Sequence, residues 1–192
     1  MKVGVLALQG AVEPHKTLLA GLGAATLDVR TPAQLEDVDA LVIPGGESTT
    51  MSRLLTLNGL RETLQARLDD GMPAFGTCAG MILLATTVLD GRADQQSFGA
   101  VDITVRRNAF GRQVDSFESD LVVAGVADAG QRLHAVFIRA PFVESVGADA
   151  EVLATVDGHP VCCRQARVLV TAFHPELAGD DRLHRAFLDL AA

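Results

Sequence analysis

The chain of 192 residues is 48% apolar and 21% charged, with 18 Gly and 7 Pro, a globular balance rather than a disordered or fibrous one. A formal net charge of -8, no Trp, no Tyr and only 8 Phe argue against nucleic acid as a partner, because the field repels phosphates and few rings are available to stack on bases. No apolar run approaches the ~20 residues needed to span a bilayer, so no membrane is expected, and three Cys, two of them adjacent, do not make a disulfide framework.

Residues 3–8 form a continuous apolar run closed by Gln9-Gly10, the pattern of a parallel strand buried on both faces rather than of a leader. A helix is expected over 12–22, a strand over 25–30, a helix start at Thr31-Pro32 with proline at the first helical position, and a third strand over 39–43 that ends at Pro44-Gly45-Gly46. Two helical stretches lead to Asp70. Residues 73–77 then read as a fourth strand running straight into a helical pattern that begins at Ala79. From residue 101 the character changes: stretches 101–106, 121–124, 134–139, 151–156, 161–165 and 168–173 follow one another as strands with little helix between them. Asp180-Asp181 opens a closing amphipathic helix over 182–190, with acidic residues at its positive end. The pattern predicts an α/β fold with a mostly parallel sheet and an antiparallel extension, in one domain over 1–192 and in the cytoplasm.

Gly76-Thr77-Cys78-Ala79-Gly80 lies at a strand-to-helix junction with the glycine spacing of a nucleophile elbow, Cys taking the place of Ser. A nucleophile in a strained turn needs neighbours without bulky Cβ substituents, and a helix starting at Ala79 turns N–H groups and positive dipole toward the sulfur, which favours a thiolate. Taken alone, the pentapeptide suits a small buried thiol equally well. His174-Pro175-Glu176 follows the last strand, where open α/β sheets deliver catalytic groups. With Pro175 holding the backbone extended, residues 174 and 176 point the same way, so Glu176 can fix the tautomer of His174 while the other ring nitrogen takes the thiol proton. The turn Pro44-Gly45-Gly46-Glu47-Ser48-Thr49-Thr50 after the third strand has two readings: a plain helix entry, or, through the N–H of Gly46 with that of Ala79, an oxyanion hole.

GTCAG, HPE and PGGES together resemble the class I-type glutamine amidotransferases. LQGAV at 8–12, PGGESTTM at 44–51, FGTCAG at 75–80, RNAFGRQVDSFE at 107–118, FIRAP at 137–141 and FHPEL at 173–177 narrow the resemblance to the glutaminase subunit of the heteromeric pyridoxal 5'-phosphate synthase, over nearly the whole chain. The resemblance implies a three-layer, flavodoxin-like sandwich that hydrolyses L-glutamine and sends ammonia to a synthase subunit making the vitamin B6 cofactor. It makes Cys78 the nucleophile, His174 the base and Glu176 its orienter, and it assigns glutamine contacts to Gly46, Glu47, Ser48, Arg107, Ile138 and Arg139. Which arginine meets which part of glutamine stays open, and by spacing alone Arg107 reads as half of a surface salt bridge. Ala109 and Phe142-Val143 depart from the family pattern without touching the triad. Cys162 and Cys163, neighbours on a strand, point to opposite faces and read as sheet fillers. His15, His134, His159 and His184 have no ligand spacing, so neither metal nor cofactor is expected.

Overall fold

The computed structural model describes residues 1–92, 94–107, 116–126 and 130–192. The first half alternates strand and helix: β1 (Lys2–Leu6), α1 (Val12–Gly21), β2 (Ala25–Val29), α2 (Pro32–Glu36), β3 (Ala40–Ile43), α3 (Ser48–Leu57), α4 (Leu60–Asp69), β4 (Ala74–Thr77) and α5 (Ala79–Leu84). The second half is mostly strand: β5 (Ala85–Leu89), β6 (Val101–Arg106), β7 (Phe117–Leu121), β8 (Leu133–Phe137), β9 (Phe142–Val146), β10 (Glu151–Val156), β11 (His159–Gln165) and β12 (Val168–Thr171), closed by α6 (Pro175–Ala178) and α7 (Arg182–Ala191). Thr31 starts α2 as expected, with a capping box in which its hydroxyl accepts from the Gln34 N–H and the Gln34 side chain returns the bond.

One seven-stranded sheet in the order β10-β11-β12-β4-β3-β1-β2 carries the molecule, parallel from β12 to β2, with β11 and β10 added antiparallel. This is the mostly parallel sheet with an antiparallel extension. Strands β3, β4 and β12 are buried at every position, as two-sided coverage requires. Helices α1, α6 and α7 pack together, while α2 packs on α4, α4 on α3 and α3 on α5, giving the two helical layers. A three-stranded sheet β5-β6-β9 and the ribbon β7-β8 complete the fold.

Three expectations for the second half change. The strand expected at 121–124 is β7, at Phe117–Leu121, where Glu118 and Asp120 face out against the exposed His134 side of β8 while Leu121 turns inward. Strand β5 was hidden because it follows α5 with no turn residue between them; Ala85 alone switches to extended backbone at φ -65°, ψ 154°. Strand β9 begins at Phe142-Val143, where the chain departs from the family pattern and no strand is expected, and it pairs antiparallel with β6. Most of RNAFGRQVDSFE, residues 108–115 with Ala109, lies outside the described residues.

Candidate active site

Strands β4 and β12 are parallel neighbours with Thr77 opposite Thr171, so the chain leaves both at the same sheet edge and side by side. Cys78 is the first residue beyond β4; its N–H donates to Thr171 O at 2.8 Å, and its carbonyl accepts from the Ile82 N–H at 3.3 Å, as α5 begins. Its backbone is held at φ 50°, ψ -101°, a left-handed conformation that costs a non-glycine residue about 1–3 kcal/mol. The elbow is thus real, and its second glycine has a steric cause: a Cβ on Gly80 would collide with the Ile43 carbonyl of β3, so only glycine lets α5 start this close to the sheet.

His174 enters from the end of β12, anchored by its N–H on Val136 O of β8 at 2.9 Å. Here one expectation is corrected. The backbone from 174 to 176 is not extended: His174 caps α6, Pro175 takes the first helical position that its fixed φ suits, and Glu176 lies in the first turn. The helical turn still brings the two side chains together, with His174 Nδ1 to Glu176 Oε1 at 2.7 Å, which leaves Nε2 as the nitrogen for the sulfur. Burial pulls the His174 ring toward neutrality, but its interactions with Cys78 and Glu176 outweigh this and push its pKa up to about 10, so an imidazolium is stabilised between sulfur and carboxylate. A Cβ on Gly45 would strike Cε1 of this ring, so the β3 loop packs edge-on against the base. The constellation is that of a nucleophile with an oriented base, suited to acyl transfer.

The loop after β3 supplies the facing wall. Glu47 is the N-cap of α3: Oε1 accepts from the Thr49 N–H and Oε2 from the N–H and hydroxyl of Thr50. Partial burial opposes its ionisation, but these bonds prevail and hold its carboxyl at about 2. Arg107, only 15% exposed in its side chain, donates to Glu47 Oε1 at 3.0 Å, Thr49 Oγ1 at 2.9 Å and Gln95 Oε1 at 2.6 Å. It is therefore a brace of this loop rather than half of a surface salt bridge, and Gln95, which the sequence did not single out, joins it to Ser48 Oγ at 3.1 Å. Gly46 is exposed, Ser48 buried. Ile138 and Arg139 follow β8 as exposed residues, Arg139 at φ 45°, and the Ile138 carbonyl lies 4.0 Å from Cys78 Sγ. Ala79, at the first turn of α5, has no acceptor for its N–H within its own helix.

Behind the triad lies a buried polar group that spacing did not reveal. His15 of α1 and His184 of α7 are wholly buried and joined Nδ1 to Nε2 at 2.8 Å, while His15 Nε2 lies 3.3 Å from Thr77 Oγ1 and 3.6 Å from Glu176 Oε2. The available signal was helical: His15 shares its buried face with Leu19, and His184 sits between Leu183 and Phe187. Cys162 and Cys163 are buried fillers; burial pushes the Cys163 thiol up to about 12 and the Cys162 thiol up as well.

Comparison with known proteins agrees with this geometry. The chain is 60% identical over 188 residues to a pyridoxal 5'-phosphate synthase subunit PdxT of Mycobacteroides abscessus, covering 98% of this chain and 96% of that one. It is 57% identical over 195 residues to the protein of the same name from Rhodococcus jostii, with the same coverage. A crystal structure of a glutamine amidotransferase superposes with a TM-score of 0.91 at 47% identity, over 98% of each chain. A chain from the structure of PurLQS from Thermotoga maritima, at 15% identity, shares the fold with a TM-score of 0.68, over 98% of this chain and 97% of that one. Residues 5–191 match the model of the SNO glutamine amidotransferase family, and the chain belongs to that family.

Proposed function

We propose that this chain is the glutaminase subunit of a pyridoxal 5'-phosphate synthase: it hydrolyses L-glutamine to L-glutamate and ammonia and passes the ammonia to the synthase subunit. The relatives named above carry that subunit's name over nearly their full length. The observation that carries the chemistry is the union of Cys78, His174 and Glu176 at the ends of two adjacent parallel strands. Residues 1–192 act as one domain, in the cytoplasm; among the described residues no helix is long and apolar enough to cross a membrane.

Cys78 Sγ, its proton held on His174 Nε2, attacks the carboxamide carbon of glutamine. The N–H groups of Gly46 and Ala79 hold the oxyanion of the tetrahedral intermediate. His174 returns the proton to the departing nitrogen, the C–N bond breaks, and a γ-glutamyl thioester with free ammonia remains. Water, deprotonated by His174, attacks the thioester; the C–S bond breaks, the thiol regains its proton and glutamate leaves. Glu176 stays ionised throughout, holding the imidazolium that forms twice. Glutamine is gripped by the backbone of Gly46 and Glu47, by Ser48, and by the Ile138-Arg139 turn. Both oxygens of the Glu47 side chain already serve as the α3 cap, and Arg107 braces that loop. Glutamate release by the purified subunit, with and without its synthase, tests the reading. Cys78→Ala should lose on the order of 10⁶ in kcat with an unchanged circular dichroism spectrum, and retained turnover overturns the assignment.

A further inference from the structure

The buried group behind the triad has two proton arrangements, and the structure distinguishes them. Glu176 is fully buried in its side chain; its Oε1 is taken by His174, whereas Oε2 has no hydrogen-bond partner among the described residues and faces His15 Nε2 at 3.6 Å. His15 Nδ1 and His184 Nε2 share a single proton across 2.8 Å. If His15 donated, its Nε2 lone pair would face a carboxylate oxygen, and His184 would be left with a proton on Nδ1, a buried N–H with no acceptor. If His184 donates, His15 carries its proton on Nε2, directed at Thr77 Oγ1 and Glu176 Oε2; His184 Nδ1 keeps a bare lone pair, and the donor left to find an acceptor is the Thr77 hydroxyl, which can rotate about its C–O bond. The second arrangement leaves no fixed ring N–H unpaired and sets a dipole, not a lone pair, against the anion.

We propose that His15 is a positioning residue of the hydrolysis: fixed by His184 as the tautomer protonated on Nε2, it presents an N–H to the second oxygen of Glu176 and keeps that carboxylate turned to His174. Neutrality is part of the design. A cationic His15 would compete with His174 for the same carboxylate, and burial, against the pull of Glu176 and with the push of His174, lowers the His15 pKa. Burial and His15 likewise hold His184 down, to about 3, against the attraction of Asp180. Phe75 packs edge-on to both rings, with centroids 6.3 Å from His15 and 5.4 Å from His184. Thus α1 and α7, which hold no triad member, set the electrostatics of the carboxylate from behind.

The inference rests on the triad reading, and the test separates the two. Wild type and Cys78→Ala establish whether the triad works at all. Then His15→Leu, His15→Gln and His15→Asn are assayed as glutaminases with the synthase present, each rate divided by active sites titrated with a glutamine-like diazoketone. His15→Leu should lower kcat roughly tenfold, the effect of one lost dipole on a charged group, with KM unchanged. Its acid limb of kcat/KM should move to higher pH, since the buried carboxylate loses the N–H facing it. Gln places its amide nitrogen near the position of Nε2 and should restore rate and limb, whereas Asn, which reaches only the Nδ1 position, should behave like Leu. A merely structural His15 would lower stability and active-site yield but leave rate per site and pH limb where they were, and that result overturns the proposal. Equal behaviour of the Gln and Asn variants overturns it too, even where His15→Leu fails to fold.

Discussion

Replacing Glu176 with Gln tests the orientation of the base most directly, because the change removes a charge from a buried 2.7 Å contact while keeping the side chain's shape. Losing a hydrogen bond to an ionised partner costs roughly 1.5–3 kcal/mol, or about 10- to 100-fold in rate. The second cost depends on which way the new amide turns. With its oxygen on His174 Nδ1, its NH₂ faces His15 Nε2, the position of a second donor. With its nitrogen there instead, it forces the His174 proton to Nε2 and so denies the thiol its base, a tautomer error worth about 10⁴ in the Ser-His-Asp enzymes. The expected loss in kcat is therefore between roughly 10² and 10⁴, with KM little changed, because Glu176 lies behind the ring and not beside the substrate. Steady-state glutamate release measured with the synthase present reads both constants. A rise confined to KM, or a loss below about tenfold, refutes the reasoning.

The parallel core was legible in the sequence because two-sided burial leaves continuous apolar runs, and the helix after the elbow begins at Ala79 as its pattern predicts. The later strands were less so. The run at 121–124 is apolar, yet the ladder belongs to Phe117–Leu121, whose acidic residues mark a face turned to solvent, and β5 has no turn residue to announce it. In the site, Cys78 and His174 were legible because a strand end fixes their place. Glu176 meets His174 through a helix entry in place of the expected extended tripeptide, since proline fits both. Gln95, His15 and His184 were not legible: their meaning lies in partners 47, 169 and 62 residues distant, at Ser48, between each other, and at Thr77. Arg107 shows the limit from the other side, for spacing suggested a surface pair and only the fold shows it beneath the Glu47 loop.

A glutamine-like diazoketone should label Cys78 and spare Cys162 and Cys163, whose burial keeps both thiols protonated; peptide mapping that places the label on Cys162 reverses the ranking. Glu47→Gln should destabilise the fold near neutral pH. Because the folded carboxyl titrates at about 2 against an ordinary 4.5, its contribution is present above 4.5 and is lost as pH falls through 2, so melting curves of variant and wild type should converge there; a constant difference refutes the cap. Arg107→Ala should act mainly on KM, by loosening the Glu47 loop, and unchanged kinetics remove it from the site. The partner supplies the last prediction. Gln9 and Gly10 after β1 are exposed and lie against the β3 loop: Gln9 Oε1 accepts the Glu47 N–H at 2.7 Å, and the Ala11 N–H donates to Gly45 O at 3.2 Å. That second bond fixes the plane of the Gly45-Gly46 peptide, and with it the direction of one proposed oxyanion donor, yet it is long, and neither glycine carries a Cβ to resist rotation. A synthase docking on the Gln9-Gly10 loop can therefore turn this peptide at the cost of one weak bond. Since one such donor is worth on the order of 10² to 10³ in rate, the isolated subunit should be a poor glutaminase and gain about that factor when the synthase is added. Full activity in the isolated subunit, unchanged by the synthase, sinks the gating and leaves the triad standing.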